Sequence, residues 1–452
     1  MKKKGVGSEL KVTVMGEIMI TRKISVYKEP QFLELIKLVR GSDVAFVNLE
    51  GLPGNFKGYV YANFDALPFS SESFIAEELK WAGFNLVSIA NNHSLDCGPE
   101  NMFSAMEALD KAGLTYAGAG KDLDWARMPG YLETEKGLVA LIASVTGEQG
   151  VTYYQQHTRA SKPGGGYIGR PGVNGIRHDT YYSVDPETFE ELKKLKKKFT
   201  KYLGKEEKLE IQRIPSDDEK EELLLLGNRF VLGDKISIHW LVDKSDIEAN
   251  IKSVSDMYKR ADWVLMSNHS HERIPYSEVG ALPPEHIVKY AHDCIDAGAD
   301  AYLGHGDHSG EGIEIYKDKP IFYSLANPIY TTKSLRRIPP EKCEMQGLSS
   351  DATPAEFFQT YDNYNPRSYS NWLETLLAVF TLEGEKGCRK LTELKLYPIE
   401  AGADKTRSQF GVRPVLVKDE SLARKIVDRY NKLSTPFGTE IEFKDGIGVV
   451  KL

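Results

Sequence analysis

Short apolar runs alternate along this 452-residue chain with stretches in which apolar residues recur at the spacing of a helix. The apolar runs predict strands at 10–15, 44–49, 86–90, 138–145, 263–266, 301–303 and 321–325. The helical spacing predicts helices between them, at 31–40, 74–81, 99–112, 247–258 and 284–297. Strands that alternate with helices of about 10–15 residues are typical of α/β proteins. The hydrophobic pattern therefore predicts an α/β fold.

Two segments interrupt this pattern within the main domain, which we expect to cover 8–400. Segment 148–235 opens with glycine-rich loops and continues with a lysine-rich stretch that predicts a helix. Its apolar positions are Leu192, Leu195, Phe199 and Leu203. A solvated amphipathic face explains the lysines, and an anion-binding surface is the alternative. The whole segment is either a lid over a site or a plain surface insertion.

The last part of the main domain and the end of the chain differ in their patterns. Segment 331–370 is rich in Pro, Ser, Asn and Tyr and predicts a loop-rich excursion with little regular structure. Runs at 377–382 and 391–397 predict an antiparallel pair of strands. A helix at 422–433 and a hairpin then predict a C-terminal α/β tail, 401–452, packed on the main domain.

Composition narrows the class of protein. A hydrophobic content of 41% and a net charge of −7 describe an ordinary folded chain without a basic footprint, so nucleic acid is not expected as a partner. No apolar stretch follows the basic start or reaches the roughly 18 residues of a spanning helix. We therefore expect no signal peptide, no integral membrane segment and a cytoplasmic location. Four widely spaced cysteines predict reduced thiols: Cys97, Cys294, Cys343 and Cys388.

Polar residues that can bind a metal follow several predicted strands. They are Glu17, Glu50, Asn92, His93 with Asp96, His269, His271, His305 and His308. In α/β sheets ligands bind beyond the carboxyl ends of the strands, so we expect these side chains to converge. Carboxylate, amide and imidazole ligands together suit Mn, Fe or Zn. Taken singly, each has another explanation, such as a turn carboxylate, a helix N-cap at Asn92 or a solvent histidine.

Longer runs surround these residues and together carry a family resemblance. They are Gly83-Phe84-Asn85 leading to Asn91-Asn92-His93 and Asp96, Gly118-Ala119-Gly120, Gly169-Arg170-Pro171-Gly172-Val173-Asn174, Asn268-His269-Ser270-His271-Glu272, and 295–327 with Gly304-His305-Gly306-Asp307-His308. In combination they resemble the motifs of CapA-type poly-γ-glutamate synthesis proteins, within the calcineurin-like metallophosphoesterase superfamily. The resemblance covers 10–330 of the chain.

The resemblance implies a fold and assigns roles at the site. The implied fold is a four-layer α/β/β/α sandwich of the metallo-dependent phosphatase type. The implied metal ligands are Glu17, Glu50, Asn92, His269, His305 and His308, which would hold one or two divalent transition metal ions. Glu50 matches the carboxylate that bridges two metals. His93, oriented by Asp96, is implied to carry proton chemistry, and His271 is a further catalytic candidate.

This chain departs from the family's motifs at three positions. Glu17 stands where the family has aspartate, Asp307 where it has proline, and Ala326 where it has glycine. The extra methylene of Glu17 leaves open whether the first metal is retained, shifted or absent. The carboxylate of Asp307 lies next to His308 in sequence, where it can tune that histidine or bind metal directly.

Three functions are compatible with these residues. The first is a metal-dependent hydrolase, in which metal-activated water acts on a phosphoester or a γ-glutamyl or peptide amide. The second is a peptide epimerase that uses Glu17 and an opposed histidine, His308 or His93, as proton carriers. The third is a non-catalytic accessory protein of poly-γ-glutamate or capsule synthesis. If segment 148–235 covers the site, Arg170 and Arg177 are candidates to bind an anionic small-molecule, peptide or polyglutamate substrate.

Overall fold

The computed structural model describes residues 8–61, 67–146, 158–204, 222–277, 280–364, 370–402, 405 and 409–452. The strands of its first half are β1 (Glu9–Met19), β2 (Val44–Leu49), β3 (Leu86–Ser88), β4 (Thr115–Ala117), β5 (Ala119–Gly120), β6 (Gly130–Thr134), β7 (Gly137–Thr146), β8 (Gly172–Val173), β9 (His178–Val184), β10 (Glu222–Leu225), β11 (Asn228–Leu232) and β12 (Ser237–Val242). The helices of this half are α1 (Pro30–Arg40), α2 (Phe74–Ala82), α3 (Gly98–Ala112), α4 (Leu123–Ala126) and α5 (Pro186–Leu203).

The second half continues the alternation of helices and strands. Its strands are β13 (Trp263–Ser270), β14 (Ile274–Ser277), β15 (Gly280–Leu282), β16 (Ala301–Gly306), β17 (Ile313–Tyr316), β18 (Lys319–Phe322), β19 (Ile329–Tyr330), β20 (Glu374–Glu383), β21 (Lys390–Glu400), β22 (Val415–Leu416), β23 (Ile441–Lys444) and β24 (Ile447–Val450). Its helices are α6 (Lys244–Arg260), α7 (Glu285–Asp296), α8 (Pro340–Met345), α9 (Pro354–Tyr364), α10 (Ser370–Leu373) and α11 (Glu420–Ser434).

Two large sheets organise these elements. The ten-stranded sheet has the order β23-β24-β21-β20-β1-β2-β3-β4, with β19 paired to β1 and β22 paired to β21. The six-stranded sheet has the order β17-β18-β16-β13-β7-β6. Strands β1 to β4 are mutually parallel, and so are β7, β13, β16 and β18. Each sheet therefore has an edge at which the carboxyl ends of several neighbouring strands meet.

Strand β2 shows why the short apolar runs form central strands. Its side chains alternate between two hydrophobic clusters, with Val44 and Phe46 in one and Ala45 and Val47 in the other. The first cluster combines apolar side chains from both large sheets, and the second combines the ten-stranded sheet with α1, α2 and α3. A strand that is buried on both faces needs a continuous apolar run. The predicted strand 44–49 therefore matches β2 at both ends.

A third cluster buries the other sheet against helices. Met266 of β13 packs there with Val254 of α6 and Tyr290 of α7. Together with the other two clusters it establishes a mixed α/β fold, as the hydrophobic pattern predicted. In the described part of the chain no helix has the length and apolarity needed to cross a membrane. Of the cysteines, Cys97, Cys294 and Cys343 are buried, Cys388 is exposed, and all four are free thiols.

The two interrupting segments contain more regular structure than their composition suggested. The lysine-rich helix is present as α5, and β9, β10 and β11 form a four-stranded sheet with β12 that the sequence did not predict. The expectation of little regular structure in 331–370 was wrong, because the segment contains α8 and α9. Helix α9 begins with a reciprocal cap, in which the amide of Glu356 donates to Thr353 Oγ1 and the amide of Thr353 donates to Glu356 Oε2.

Candidate metal centre

Six buried or partly buried side chains form two groups of three at the carboxyl ends of the central strands. The first group is Glu17, His269 and His305, and the second is Glu50, His271 and His308. In each group one ligand-capable atom per residue lies within 4.8 Å of the other two. The groups also adjoin each other, because His308 Nδ1 lies 3.0 Å from Glu17 Oε1 and His269 Nε2 lies 3.9 Å from Glu50 Oε1.

An irregularity in β1 positions Glu17. The pairing register between β1 and β2 shifts between Val14 and Glu17. Gly16 lies within this interval and has a φ of +24°. A Cβ at Gly16 would lie 2.5 Å from the carbonyl oxygen of Ala326, so a larger residue does not fit. The Glu17 amide donates to this same carbonyl at 3.0 Å, and Asn48 Nδ2 donates to Glu17 Oε2 at 3.2 Å.

The imidazoles come from two neighbouring parallel strands and from the residues after each of them, since His271 follows β13 and His308 follows β16. His269 on β13 and His305 on β16 are register partners, and their Nδ1 atoms lie 3.0 Å apart. Ser267 Oγ lies 2.8 Å from His305 Nε2. After His305 the chain passes through Gly306, with φ of +114°, where a Cβ would lie 2.4 Å from the carbonyl oxygen of Ser270. This close approach, which only glycine permits, precedes His308.

A short 3₁₀ helix, Asn92–Leu95, contains Asn92 and His93, and Asp96 follows it directly. His93 Nδ1 lies 2.5 Å from Asp96 Oδ2, and His93 Nε2 lies 3.7 Å from Glu50 Oε1. Asp96 Oδ2 also accepts the amide of Phe69 at 2.6 Å. The carboxylate therefore fixes the proton of the imidazole on Nδ1 and turns Nε2 toward the second group. The Oδ1 atom of the neighbouring Asn92 is buried and has no hydrogen-bond partner among the described residues.

Burial sets the protonation of most of these histidines. It lowers the pKa of His269, and it lowers the pKa of His271 and His305 well below 6.5, so these imidazoles are neutral near pH 7 and offer a lone pair. Burial also opposes ionisation of Glu17, but contacts with His269 and His308 outweigh it and hold the pKa of Glu17 well below 4.5. The pKa of His308 is raised despite its burial, because Glu17 and Asn327 accept from its ring.

The residues present fit a divalent transition metal. Two carboxylates and four imidazoles, with a buried amide oxygen at Asn92 that lacks a protein partner, make up a mixed O and N donor set. A buried acceptor without a partner costs about 1–3 kcal/mol, and a cation would satisfy it. Carboxylates and the lone pairs of neutral imidazoles, buried together away from water, also call for a positive ion.

The predicted residues divide into those that converge and those that lie elsewhere. His271, expected among the catalytic residues, lies in the second group with Glu50 and His308. Arg170 Nε donates to the carbonyl of Arg159 at 3.0 Å, and Arg177 Nε donates to Asp246 on α6 at 2.8 Å. The proposed role of Arg170 and Arg177 in binding substrate stays a prediction.

Several residues at the site were not predicted from the sequence. Asn327 Oδ1 lies 3.0 Å from His308 Nδ1, and the rings of Trp372 and Tyr330 lie 4.7 Å and 5.7 Å from the His308 ring. Asn48 could have been found from the sequence, because it is a polar residue near the end of an apolar run and precedes Glu50 by two positions. Trp372 had none, because its contact with His308 joins distant parts of the chain.

Comparison with known proteins identifies the family. The family model described as "Bacterial capsule synthesis protein PGA_cap" matches residues 11–332. The chain belongs to this family. The match spans β1 to β19 and so includes every residue of the two metal-capable groups. The PGA_cap family assignment confirms the resemblance to CapA-type proteins read from the sequence motifs.

Relatives within this family differ in how much of the chain they cover. The "Uncharacterized protein y4sH" of Sinorhizobium fredii is 31% identical over 98% of this chain and 93% of its own length. The "Capsule biosynthesis protein CapA" of Bacillus anthracis is 23% identical over 71% of this chain and 60% of its own. A "Probable polyglutamine synthesis accessory protein" of Mycobacterium tuberculosis is 25% identical over 54% of this chain and 45% of its own.

Proposed function

We propose that this PGA_cap protein is a metal-dependent hydrolase on a four-layer α/β/β/α sandwich of the metallo-dependent phosphatase type. The observation that carries the proposal is the pair of adjoining groups, each with one glutamate and two histidines, at the carboxyl ends of parallel strands. The hydrophobic cluster shared by both large sheets, with helices packed beyond each, supports the layered fold. The substrate would be a phosphoester or a γ-glutamyl or peptide amide.

Each group would contribute a distinct part of the site. Glu17, His269 and His305 would hold one Mn, Fe or Zn ion, and Glu50, His271 and His308 would hold a second, with Asn92 as a further ligand. A bound ion of this kind lowers the pKa of coordinated water and polarises a phosphoryl or acyl oxygen. His93 would deliver a proton from Nε2 to the leaving group, because Asp96 occupies its other nitrogen.

The geometry favours hydrolysis over epimerisation. An epimerase needs two proton carriers on opposite sides of a substrate carbon. Glu17 and His308 are in direct contact at 3.0 Å, which leaves no room for a substrate between them, and His93 faces Glu50 instead of Glu17. The accessory role is the remaining alternative, and the names of the relatives in capsule and polyglutamine synthesis favour it.

One experiment separates these functions. The purified protein, loaded with Mn, Fe or Zn in turn, is assayed with generic phosphodiesters and γ-glutamyl amides in deuterated water. We expect metal-dependent bond cleavage that the Glu50→Gln, His271→Ala double variant loses. Deuterium entering a Cα position without cleavage would indicate the epimerase, and metal binding without any turnover would indicate the accessory role.

A further inference from the structure

The segment between β18 and β19, at 323–328, contacts a residue of each metal-capable group. The carbonyl of Ala326 accepts the amide of Glu17, in the first group, at 3.0 Å. Asn327 Oδ1 lies 3.0 Å from Nδ1 of His308, in the second group. Both Ala326 and Asn327 are buried. This one segment is therefore placed to fix residues of both groups.

Several contacts hold the backbone of this segment. Ala326 has a φ of +57°, in the left-handed region that favours glycine. Ser324 Oγ donates to the carbonyl of Asp307 at 2.7 Å, directly before His308. The amide of Asn327 donates to the carbonyl of Trp372 at 3.2 Å. The base of the Asn327 side chain is thus anchored on two sides, so the direction of its amide group is restricted.

The acceptors around His308 define where its ring carries a proton. Glu17 Oε1 and Asn327 Oδ1 each lie 3.0 Å from His308 Nδ1. A carboxylate can only accept, so Nδ1 is a donor and Asn327 presents its oxygen to it. The other ring nitrogen, Nε2, is then the one that can offer a lone pair to a cation.

The two acceptors differ in what else they would do. Glu17 belongs to the first metal-capable group, where its carboxylate would bind an ion. The Asn327 side chain has no other hydrogen bond in the described structure, and its buried Nδ2 lacks a partner there. Asn327 is therefore the acceptor that would stay with His308 Nδ1 when Glu17 turns to an ion.

We propose that Asn327 is a positioning residue, which holds Nδ1 of His308 and so directs Nε2 into the second metal-capable group. Metal-binding histidines generally donate their other ring nitrogen to an acceptor that fixes the orientation of the ring. The role rests on the proposed function, because an ion in the second group is what the ring would bind. The state of the ring can nevertheless be measured without metal.

A Co²⁺ titration of the full chain, followed by visible absorption, measures the effect on metal binding. His308→Ala identifies the ion of the second group, because it should abolish binding of that ion. Asn327→Ala should weaken the same ion by about 10–100-fold, the usual effect of losing such an acceptor. It should leave the affinity of any other bound ion near that of the wild type. Asn327→Asp should restore binding, because a carboxylate oxygen can replace Oδ1 and the lost Nδ2 donates to no described residue.

A matched control removes an amide that has a structural contact elsewhere. Asn431 Oδ1 accepts the amide of Ile441 at 2.8 Å, on the edge strand β23 of the ten-stranded sheet. Asn431→Ala should bind Co²⁺ as the wild type does. The proposal would be overturned by wild-type binding in Asn327→Ala, by an Asn327→Asp variant as weak as Asn327→Ala, or by the same weakening in Asn431→Ala.

NMR of the chelator-treated chain with ¹⁵N-labelled histidine tests the ring without metal. The wild type should show a protonated Nδ1 of His308, assigned by the absence of its signal in His308→Ala. Asn327→Ala should shift or broaden this signal, and Asn327→Asp should retain it. If the wild type bound no metal, the proposed function would fail, while a signal that depends on Asn327 would still support the positioning role. A signal that is identical in the wild type and Asn327→Ala would overturn that role.

Discussion

At the residue scale, the neighbours Asn92 and His93 meet different surroundings at the end of β3. The Asn92 amide oxygen is buried without a hydrogen-bond partner in the described part of the protein, while both ring nitrogens of His93 face carboxylates. The sequence motif allowed both roles to be predicted from adjacency alone, since side chains of successive residues diverge at a tight turn. What it could not supply was the 3.7 Å approach of His93 Nε2 to Glu50, which depends on how β2 and β3 pair.

The first prediction separates proton transfer from metal binding. His93→Ala should lower the turnover of the metal-loaded protein by about 10²–10⁴-fold, the contribution of a positioned general acid. It should leave the metal content unchanged, whereas Asn92→Ala should reduce both. His292→Ala is the control, because that histidine lies on α7 and pairs with Glu314 of β17, away from the metal-capable groups. Loss of metal from His93→Ala would reassign this histidine as a ligand.

The second prediction concerns pH and the buried Glu311. Burial, together with repulsion by Asp307, raises the pKa of Glu311 well above 4.5, and its Oε1 has no hydrogen-bond partner in the described structure. Because the folded pKa exceeds the unfolded one, the folded state binds more protons, and the stability due to this group falls as pH rises above 4.5. Replacing the carboxyl with a neutral amide removes that loss.

Glu311→Gln should therefore be more stable than the wild type at pH 7, because its amide carries no charge for burial and Asp307 to oppose. The difference should shrink toward about pH 4, where a glutamate is protonated in the unfolded chain as well. Urea unfolding at the two pH values measures it, with the exposed Glu420→Gln as the control. A variant that is less stable at pH 7 would mean that the charge of Glu311 is engaged in the fold.

At the element scale, helix α6 fastens segment 148–235 to the main domain. Asp246, buried on this helix, accepts from Arg127 at 2.7 Å, from Arg159 at 2.8 Å and from Arg177 at 2.8 Å. Three guanidinium groups thus converge on one carboxylate, and two of them belong to the inserted segment. This network assigns Arg177 a structural task in addition to the substrate role predicted for it.

The third prediction tests that attachment. Asp246→Asn should destabilise the protein by about 3–5 kcal/mol, because it leaves the buried Arg159 and the partly buried Arg127 without this carboxylate, while Arg177 keeps Asp243. The control lies on the same helix: Asp256→Asn breaks an exposed pair with Arg260 and should cost about 0–1 kcal/mol. Denaturant unfolding of both variants measures the difference. Equal stabilities would show that the network contributes nothing specific.

Elements buried on both faces were the ones that the sequence predicted well. Strand β2 was bounded correctly because all of its positions are buried and all but Asn48 are apolar. The strands β9 to β12 were missed, because β9, β11 and β12 mix polar with apolar residues and are only partly buried at several positions. Helix α9 was also missed, although Thr353-Pro354-Ala355-Glu356 carries a capping-box signature that would have predicted its start.

At the scale of the whole molecule, the two sheets bring the metal-capable groups together. Glu17 and Glu50 belong to the carboxyl-end edge of the ten-stranded sheet, and His269 and His305 to that of the six-stranded sheet. No local sequence pattern predicts that the glutamates and the histidines lie together, because the two sets are far apart along the chain. The family motifs allowed the set to be predicted, but not its division into two groups or the wall that Trp372 forms beside His308.

Metal content per chain tests the central proposal most directly. The wild type, purified and then equilibrated with Mn, Fe or Zn, is analysed for bound metal beside the His269→Ala, His305→Ala, His308→Ala triple variant and a His239→Ala, His292→Ala control. We expect one or two divalent ions per wild-type or control chain, a lower melting temperature after chelation, and loss of the metal in the triple variant while its circular dichroism shows a folded chain. Unchanged metal content in a folded triple variant, or no metal bound by the wild type, would contradict the proposed centre.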